Sequence, residues 1–590
     1  MKTTRKIISS IRKWMIKNQI DAFIIPHDDE YLSEYIPIYN ERLAWVTNFT
    51  GSAGIAIITH NNAYIFIDGR YTVQVKQQVD ESLFKIMHVK NNPFIPWIKN
   101  NLNNKIIGYD PRLHRIKWLD DIKDLSILRL KEISENPIDI LWDKRPKIDL
   151  NKVLLLDQRY TGKSSVEKRS IVSQLVKNNN CDAVFITQLD SIAWLLNIRG
   201  NDVPCNPVTL CHGILYETGD FDLFIDKKKI PEGFAKHVGK NVVVHATKNI
   251  LQELKKLKGK TVQIDPNTSN IWSKNLLNDS GCTVKYSDDP CSLEKACKNE
   301  VEIKGMKECH KRDAIAVCNF LAWVYKNIEL DKLYDEGVLA DKLDSFREQL
   351  NLFKGLSFNT ISAAGPNAAM CHYNHKNHQV PGKIKMNSVY LFDSGGQYLD
   401  GTTDITRTIA IGEPSQLMIK TFTLVLKGHI ALSLAKFPEG IAGQHLDTFA
   451  RQYLWDCGYD FEHGTGHGVG SYLNVHEGPQ SIGKGANNVP LKEGMVLSNE
   501  PGYYEENSFG IRCENLIFVK KFNKVNGKNL LGFENLTFVP FDKKLIDVNL
   551  LSTKEKKWIN EYHIEVLNKI GPLLEFDVQN WLKNATKPIS

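Results

Sequence analysis

Residues 392–408 read FDSGGQYLDGTTDITRT, and the way this stretch folds decides where the chain's chemistry lies. Val389 to Phe392 form an apolar run suited to a buried strand, which delivers Asp393 into the turn-forming Ser394-Gly395-Gly396. Tyr398 to Thr408 reads as the returning strand, and an antiparallel hairpin of this length brings Asp393 and Asp404 together. Either aspartate alone has an ordinary role as a turn or capping residue. A carboxylate that closes an apolar run is different, because burying it without a partner is costly.

Three glycine-bounded motifs follow. HGTGHGVGSYLNVHEGP at 463–479 sets His463, His467 and His476 among glycines that let backbone pass close to a ligand or metal. NEPGYY at 499–504 puts Glu500 at a strand end before a Pro-Gly turn, and GIRCEN at 510–515 reads as a strand containing Glu514. Arg512 shares the strand face of Glu514 by the period of two, placed to orient it or to hold a substrate carboxylate. Cys513 points the other way and reads as a packed thiol. If Asp393, Asp404, His467, Glu500 and Glu514 converge, four acids repel too strongly to stay ionised without cations. Hard oxygen ligands with one imidazole suit a pair of divalent ions such as Mn²⁺, Co²⁺ or Zn²⁺, a general hydrolytic device.

At 590 residues the chain is too long for one core and calls for about three domains. Its 75 basic and 68 acidic residues leave a net charge of only +7, with no basic block of the kind that binds nucleic acid. Eleven cysteines without a C-x-x-C pair argue for free thiols in a reducing compartment. No apolar run approaches a membrane span. The basic, acid-free first twenty residues superficially suit a transit peptide, but Ile7, Ile11, Trp14 and Met15 form one helical stripe leading into the strand-like Asp21 to Ile25, as in the first helix of a domain.

The first half repeats itself. Lys17 to Ile24 is echoed by Lys177 to Ile186, and Leu43-Ala44-Trp45-Val46-Thr47-Asn48-Phe49-Thr50-Gly51 by Ile192-Ala193-Trp194-Leu195-Leu196-Asn197-Ile198-Arg199-Gly200. Two similar α/β modules, 1–147 and 148–297, would account for this. Tyr160 to Ser165 invites a phosphate-loop reading that fails at Asp157, where the first glycine is required; Ser164 to Glu167 is a capping box opening a helix instead. From Asn299 a helical pattern runs through Ile303, Met306, His310, Val317, Leu321 and Val324, and later segments such as Leu516 to Val519 look like buried strands, so 298–590 is expected to be an α+β domain holding all five candidate ligands.

Taken with DSIAWLLNIRG and FIDGRYTVQ in the two early modules, these motifs resemble aminopeptidase P, the Xaa-Pro aminopeptidases of the pita-bread metallopeptidases, in their three-domain cytosolic form. Cys513 departs from the usual aliphatic residue, and the stretch from His372 to Asp393 is about one residue longer than the family's. The resemblance implies two creatinase-like modules ahead of a pita-bread catalytic domain. It implies two metals, most often Mn²⁺, on Asp393, Asp404, His467, Glu500 and Glu514, with Asp404 and Glu514 bridging and a hydroxide between the ions as nucleophile. His372, His463 and His476 match the three histidines that position substrate, pass protons and stabilise the tetrahedral intermediate; His375 and His378 are read as solvated loop residues. The implied activity releases the first residue from short peptides with proline second, in a cytoplasmic homodimer with neither nucleic-acid nor membrane partners.

Prolidases usually carry one N-terminal module, methionine aminopeptidases lack the doubled architecture, and creatinase works without the metal cage. A non-catalytic peptide- or histone-binding relative would have lost ligands, and all five are present here.

Overall fold

The computed structural model describes residues 3–123, 128–147, 150–378 and 380–590; the expected seam between 147 and 148 falls on residues 148–149, outside the described residues. The chain forms two compact units, Met1–Gln158 with Lys163–Ser292, and Arg159–Gly162 with Leu293–Ser590.

In the first unit, helix Thr4–Lys17 buries Ile7, Ile8, Ile11 and Met15, the stripe that its three-and-four spacing dictates. It leads into β1 (Ala22–Pro26), which together with β2 (Ile55–Thr59), β3 (Ala63–Ile67), β4 (Lys85–His88), β5 (Ile106–Tyr109) and β6 (Arg129–Glu132) forms a sheet of order β4-β3-β2-β1-β5-β6. Helix Ser165–Asn178, opened by the Ser164 and Glu167 capping box, leads likewise into β7 (Ala183–Ile186). With β8 (His212–Tyr216), β9 (Phe221–Phe224), β10 (Val242–His245), β11 (Thr261–Ile264) and β12 (Thr283–Tyr286), the order is β10-β9-β8-β7-β11-β12.

The two sheets also agree in sense. The pairs β1/β2 and β2/β3 are antiparallel and β3/β4, β1/β5 and β5/β6 parallel, and the five corresponding pairs of the second sheet match them. Asn48 and Asn197, which occupy the same place in the second sequence echo, both take the left-handed conformation that asparagine tolerates, with φ of 64° and 52°. The echo is thus a repeated α/β module.

In the second unit, helix Glu300–Glu329 starts at an Asn299 and Glu302 capping box and buries Met306, His310, Val317, Leu321 and Val324. Strands Ile361–Ala364, Ser388–Ser394 and Ile405–Ile411 form one antiparallel sheet. A six-stranded sheet holds Gly466–Gly468, Glu477–Ile482, Val496–Asn499 and Asn515–Val525. Helices Gln416–Ser433 and Thr553–Ile570 enclose a core that includes Phe392, Ile409, Val425, Ile511, Phe541 and Tyr562.

The sequence reading carried the returning strand back to Tyr398, whereas it starts at Ile405. Gly396–Tyr398 pairs with Phe353–Leu356 on one side and with Gly401–Thr402 on the other in a separate small sheet. The chain makes that detour by a close backbone approach, since a Cβ on Gly395 would collide with the Thr403 carbonyl.

Candidate metal centre

Asp393 lies opposite Thr406 in the ladder between Ser388–Ser394 and Ile405–Ile411, and Asp404 precedes Thr406 by one pleat repeat. The period of two therefore turns Asp393, Asp404 and Thr406 to one face. His467 sits in Gly466–Gly468 where the register slips before Gly468. Glu500 follows Val496–Asn499, its amide donating to the Thr465 carbonyl at 2.8 Å. Glu514 lies between strands Phe509–Arg512 and Asn515–Val525 rather than inside one, as the sequence had suggested. There its amide reaches the Thr406 carbonyl at 3.2 Å, and its carboxylate accepts from the Thr406 hydroxyl at 2.7 Å.

These residues converge. His467 Nε2 is 3.5 Å from Asp404 Oδ2 and 3.4 Å from Glu500 Oε1, and Asp404, His467 and Glu514 offer donor atoms within 4.8 Å of one another. His467 Nδ1 lies 2.9 Å from the Gly468 carbonyl; a carbonyl only accepts, so Nδ1 carries the proton and Nε2 turns its lone pair to the acids.

Asp393, Asp404 and Glu514 are buried, Glu500 and His467 half-buried. Burial and the charges of Asp393 and Glu500 hold the Asp404 carboxyl well above the usual range. Burial with Asp404, Asp393 and Glu500 does the same to Glu514. Burial also raises Glu500, against the pull of His467 and Arg512. Asp393 Oδ1 and Asp404 Oδ1 are buried and accept no hydrogen bond. Crowded carboxylates with spare lone pairs around one imidazole fit hard divalent cations, which would remove both the repulsion and the unmet acceptors.

Arg512 is the cation within the cage. It donates to Asp393 Oδ2 at 2.5 Å, to the Tyr504 hydroxyl at 2.8 Å and to Thr406 Oγ1 at 3.0 Å. All three nitrogens are engaged by the protein, and Glu514 is reached through Thr406 rather than by the direct contact expected from the strand face. The Tyr504 hydroxyl in turn meets His463 Nε2 at 2.8 Å, while His463 Nδ1 faces the Gly464 carbonyl at 2.8 Å. Burial and Arg512 push the His463 pKa well down, and a proton on His372 disfavours it further. The His476 ring stands edge-on to that of His467 at 4.3 Å. Cys371, beside His372, is hydrogen-bonded to Tyr504. His375 is buried, not a solvated loop residue, and half-buried His378 packs on Tyr373 at 5.2 Å. Burial pushes the Cys513 thiol up to about 12, as expected of a packed side chain.

Two glycines of the histidine motif are required by close backbone approach. A Cβ on Gly466 would strike the Ser498 carbonyl, and one on Gly468 the Glu477 carbonyl.

Sequence reasoning missed Tyr504, Thr406 and Arg451. Arg451 is fully buried on helix Asp447–Trp455 and donates to Asp447 at 2.7 Å, to the Phe461 carbonyl at 2.6 Å and to the His463 carbonyl at 2.8 Å. Its position on the apolar face with Ala450 and Leu454 is the signal that could have found it, since a buried guanidinium must be paired.

Residues 304–521 match the model of metallopeptidase family M24 and 529–589 that of the C-terminal region of peptidase M24, while 7–135 and 144–302 match creatinase/prolidase N-terminal domains. The chain is 38% identical to a probable Xaa-Pro aminopeptidase P of Laccaria bicolor over 99% of its own length and 94% of that protein. To Xaa-Pro aminopeptidase 1 of Dictyostelium discoideum it is 39% identical, with 99% and 96% covered. The solved X-prolyl aminopeptidase of Caenorhabditis elegans, described as a cytosolic enzyme with a di-nuclear active site, superposes with a TM-score of 0.95 at 35% identity, each chain covered completely.

Proposed function

Because the chain belongs to metallopeptidase family M24, we propose that it is a metal-dependent aminopeptidase that releases the N-terminal residue from peptides with proline in second position. The observation that carries this reading is the crowd of buried carboxylates around His467, with acceptor oxygens on Asp393 and Asp404 left over for cations. Asp393, Asp404, His467, Glu500 and Glu514 would hold two divalent ions, and Mn²⁺ is the metal we expect, with Co²⁺ or Zn²⁺ as substitutes. When bound, the ions supply Lewis acidity and a water acidic enough to attack an amide near neutral pH.

The chain's own residues set the rest. Arg512 fixes Asp393 and points its second nitrogen at Tyr504. With that donor on its oxygen, the Tyr504 hydroxyl turns its proton to His463 Nε2, whose Nδ1 is pinned on Gly464. His463 is thereby held neutral and in one tautomer, its Nε2 accepting from the tyrosine hydroxyl. His372 and His476 are the groups we assign to substrate placement and to stabilising the tetrahedral intermediate, since an imidazole can donate or accept near pH 7. The scissile bond is a tertiary amide without N–H, so selectivity must come from how the cleft holds the X-Pro unit.

We divide the chain into domains 1–147, 148–297 and 298–590, and we assign the first two to limiting access to short peptides within a cytoplasmic homodimer; no helix among the described residues is long and apolar enough to cross a membrane. The test is hydrolysis of Arg-Pro-Pro against Arg-Ala-Ala and Gly-Pro by the full chain, with and without Mn²⁺. Release of arginine from Arg-Pro-Pro alone is the expected result. Preference for Gly-Pro would make it a dipeptidase, and no hydrolysis of any of the three a binding protein.

A further inference from the structure

Glu336 is fully buried at the start of helix Glu336–Glu348, yet its carboxylate is turned away from that helix. Oε1 accepts from the Ala364 amide at 2.7 Å and from Asn367 Nδ2 at 2.9 Å. Oε2 accepts from the Tyr373 hydroxyl at 2.6 Å and from the Gly382 amide at 2.7 Å. The Glu336 amide also donates to the Gly382 carbonyl at 2.8 Å. A carboxylate has about four acceptor sites, and here all are filled. The donors come from both sides of His372 in the chain, the nearest from Tyr373 beside it. None is among the five metal-site residues.

That stretch has little else to define it. Between strand Ile361–Ala364 and His372 the only regular element is the short turn Gly365–Ala369. Its far side lies on strand Phe509–Arg512 so closely that a Cβ on Gly510 would strike the Ala368 carbonyl, which sets Cys371 beside Tyr504 and Arg512. Gly382 is confined in the same way, because a Cβ there would meet Asn367 Nδ2 at 2.6 Å and Glu336 Oε1 at 2.8 Å.

We infer that Glu336 is a positioning residue for His372, a buried hydrogen-bond hub that fixes the backbone presenting that imidazole to the substrate. This rests on His372 contacting substrate, and the experiment separates the two claims. In the Mn²⁺-loaded full chain, Glu336→Gln places an amide donor against two existing donors, and Tyr373→Phe removes the bond to Glu336 Oε2 together with the one the hydroxyl accepts from Asn367 Nδ2. Both are measured alone and combined with His372→Ala, reading kcat and KM for Arg-Pro-Pro and bound metal by elemental analysis. A lost hydrogen bond to a buried charge predicts that Glu336→Gln lowers kcat/KM by about 10- to 100-fold with two metals retained, and Tyr373→Phe by about 3- to 10-fold. In the His372→Ala background either change is expected to cost less than about 2-fold, because its route of action is already gone. Losses that multiply in the double variants, or unchanged kinetics in both single variants, overturn the positioning role. Full activity of His372→Ala alone overturns the assignment of His372 and the inference with it. If Glu336→Gln does not fold, Tyr373→Phe and its double variant decide the matter.

Discussion

Asp404, His467 and Glu514 in one unit and Asp222, His245 and Glu253 in the other are the same three residue types, each set gathered within 4.8 Å, and they are chemically opposite. His245 gives Nε2 to Asp222 at 2.9 Å and turns Nδ1 toward Glu253 at 3.7 Å. The second Asp222 oxygen accepts from the Tyr216 hydroxyl at 2.6 Å, and Glu253 is ion-paired with Lys256. Each imidazole nitrogen is spent on a different acid, so this cluster is a histidine held between two carboxylates. His467 turns one nitrogen to two acids at once, and two buried oxygens nearby accept nothing. Unmet lone pairs, rather than the list of residue types, mark a metal centre.

The sharpest way to break this contrast is to count metals. Elemental analysis should find two ions per chain; exhaustive chelation or Glu514→Ala should lower both metal content and turnover, the latter by about 10³-fold or more, with Mn²⁺ restoring the chelated protein only. Asp222→Asn should retain two ions. A third ion lost with Asp222 would mean that the two clusters are alike after all.

Within the catalytic unit, His463→Ala should keep both ions and lower kcat by about 10²-fold, the scale of a lost acid-base group. Loss of metal from this variant would make His463 a ligand.

A smaller effect separates the clusters by pH. In the metal-free protein, Asp404 and Glu514 have folded pKa values raised by burial and mutual repulsion. Such groups stabilise the fold fully below the unfolded carboxylate pKa near 4, and that stability is lost as pH rises through their folded values, at about 1.4 kcal/mol per pH unit for each extra proton held. Urea midpoints of the metal-free chain should therefore fall from about pH 5 to pH 8, and Asp404→Asn should flatten the trend. A rise over that interval would show that the cage is not under charge strain without metal.

The smallest change is expected at the satisfied cluster. His245→Gln should cost about 1 to 3 kcal/mol of stability by leaving buried acceptors unmet, read as a lower melting temperature, with kcat/KM for Arg-Pro-Pro unchanged. A loss of kcat/KM would give that cluster a part in the reaction.

The amino-acid sequence by itself determined the capped helices, the buried strands, the doubled module and the identity of the acids and histidines that gather at the site. Helical stripes and capping boxes act within about four residues and strand alternation within two, so their signals are local in the chain. Even the module echo was legible, because runs of similar residues recur at Leu43 to Gly51 and Ile192 to Gly200. Tertiary structure alone decided which neighbour each polar group serves. Arg512 reaches Asp393 across 119 residues and bypasses Glu514, two positions away; Tyr504 joins His463 to Arg512; and Glu336 collects donors from 28 to 46 residues downstream. Gly466 and Gly468, on either side of His467, proved to be needed where strands approach closely. Which of two identical residue sets keeps acceptors open for a cation was decided by the same kind of fact, because an acceptor is satisfied or left open only once the chain has brought its distant partners into place.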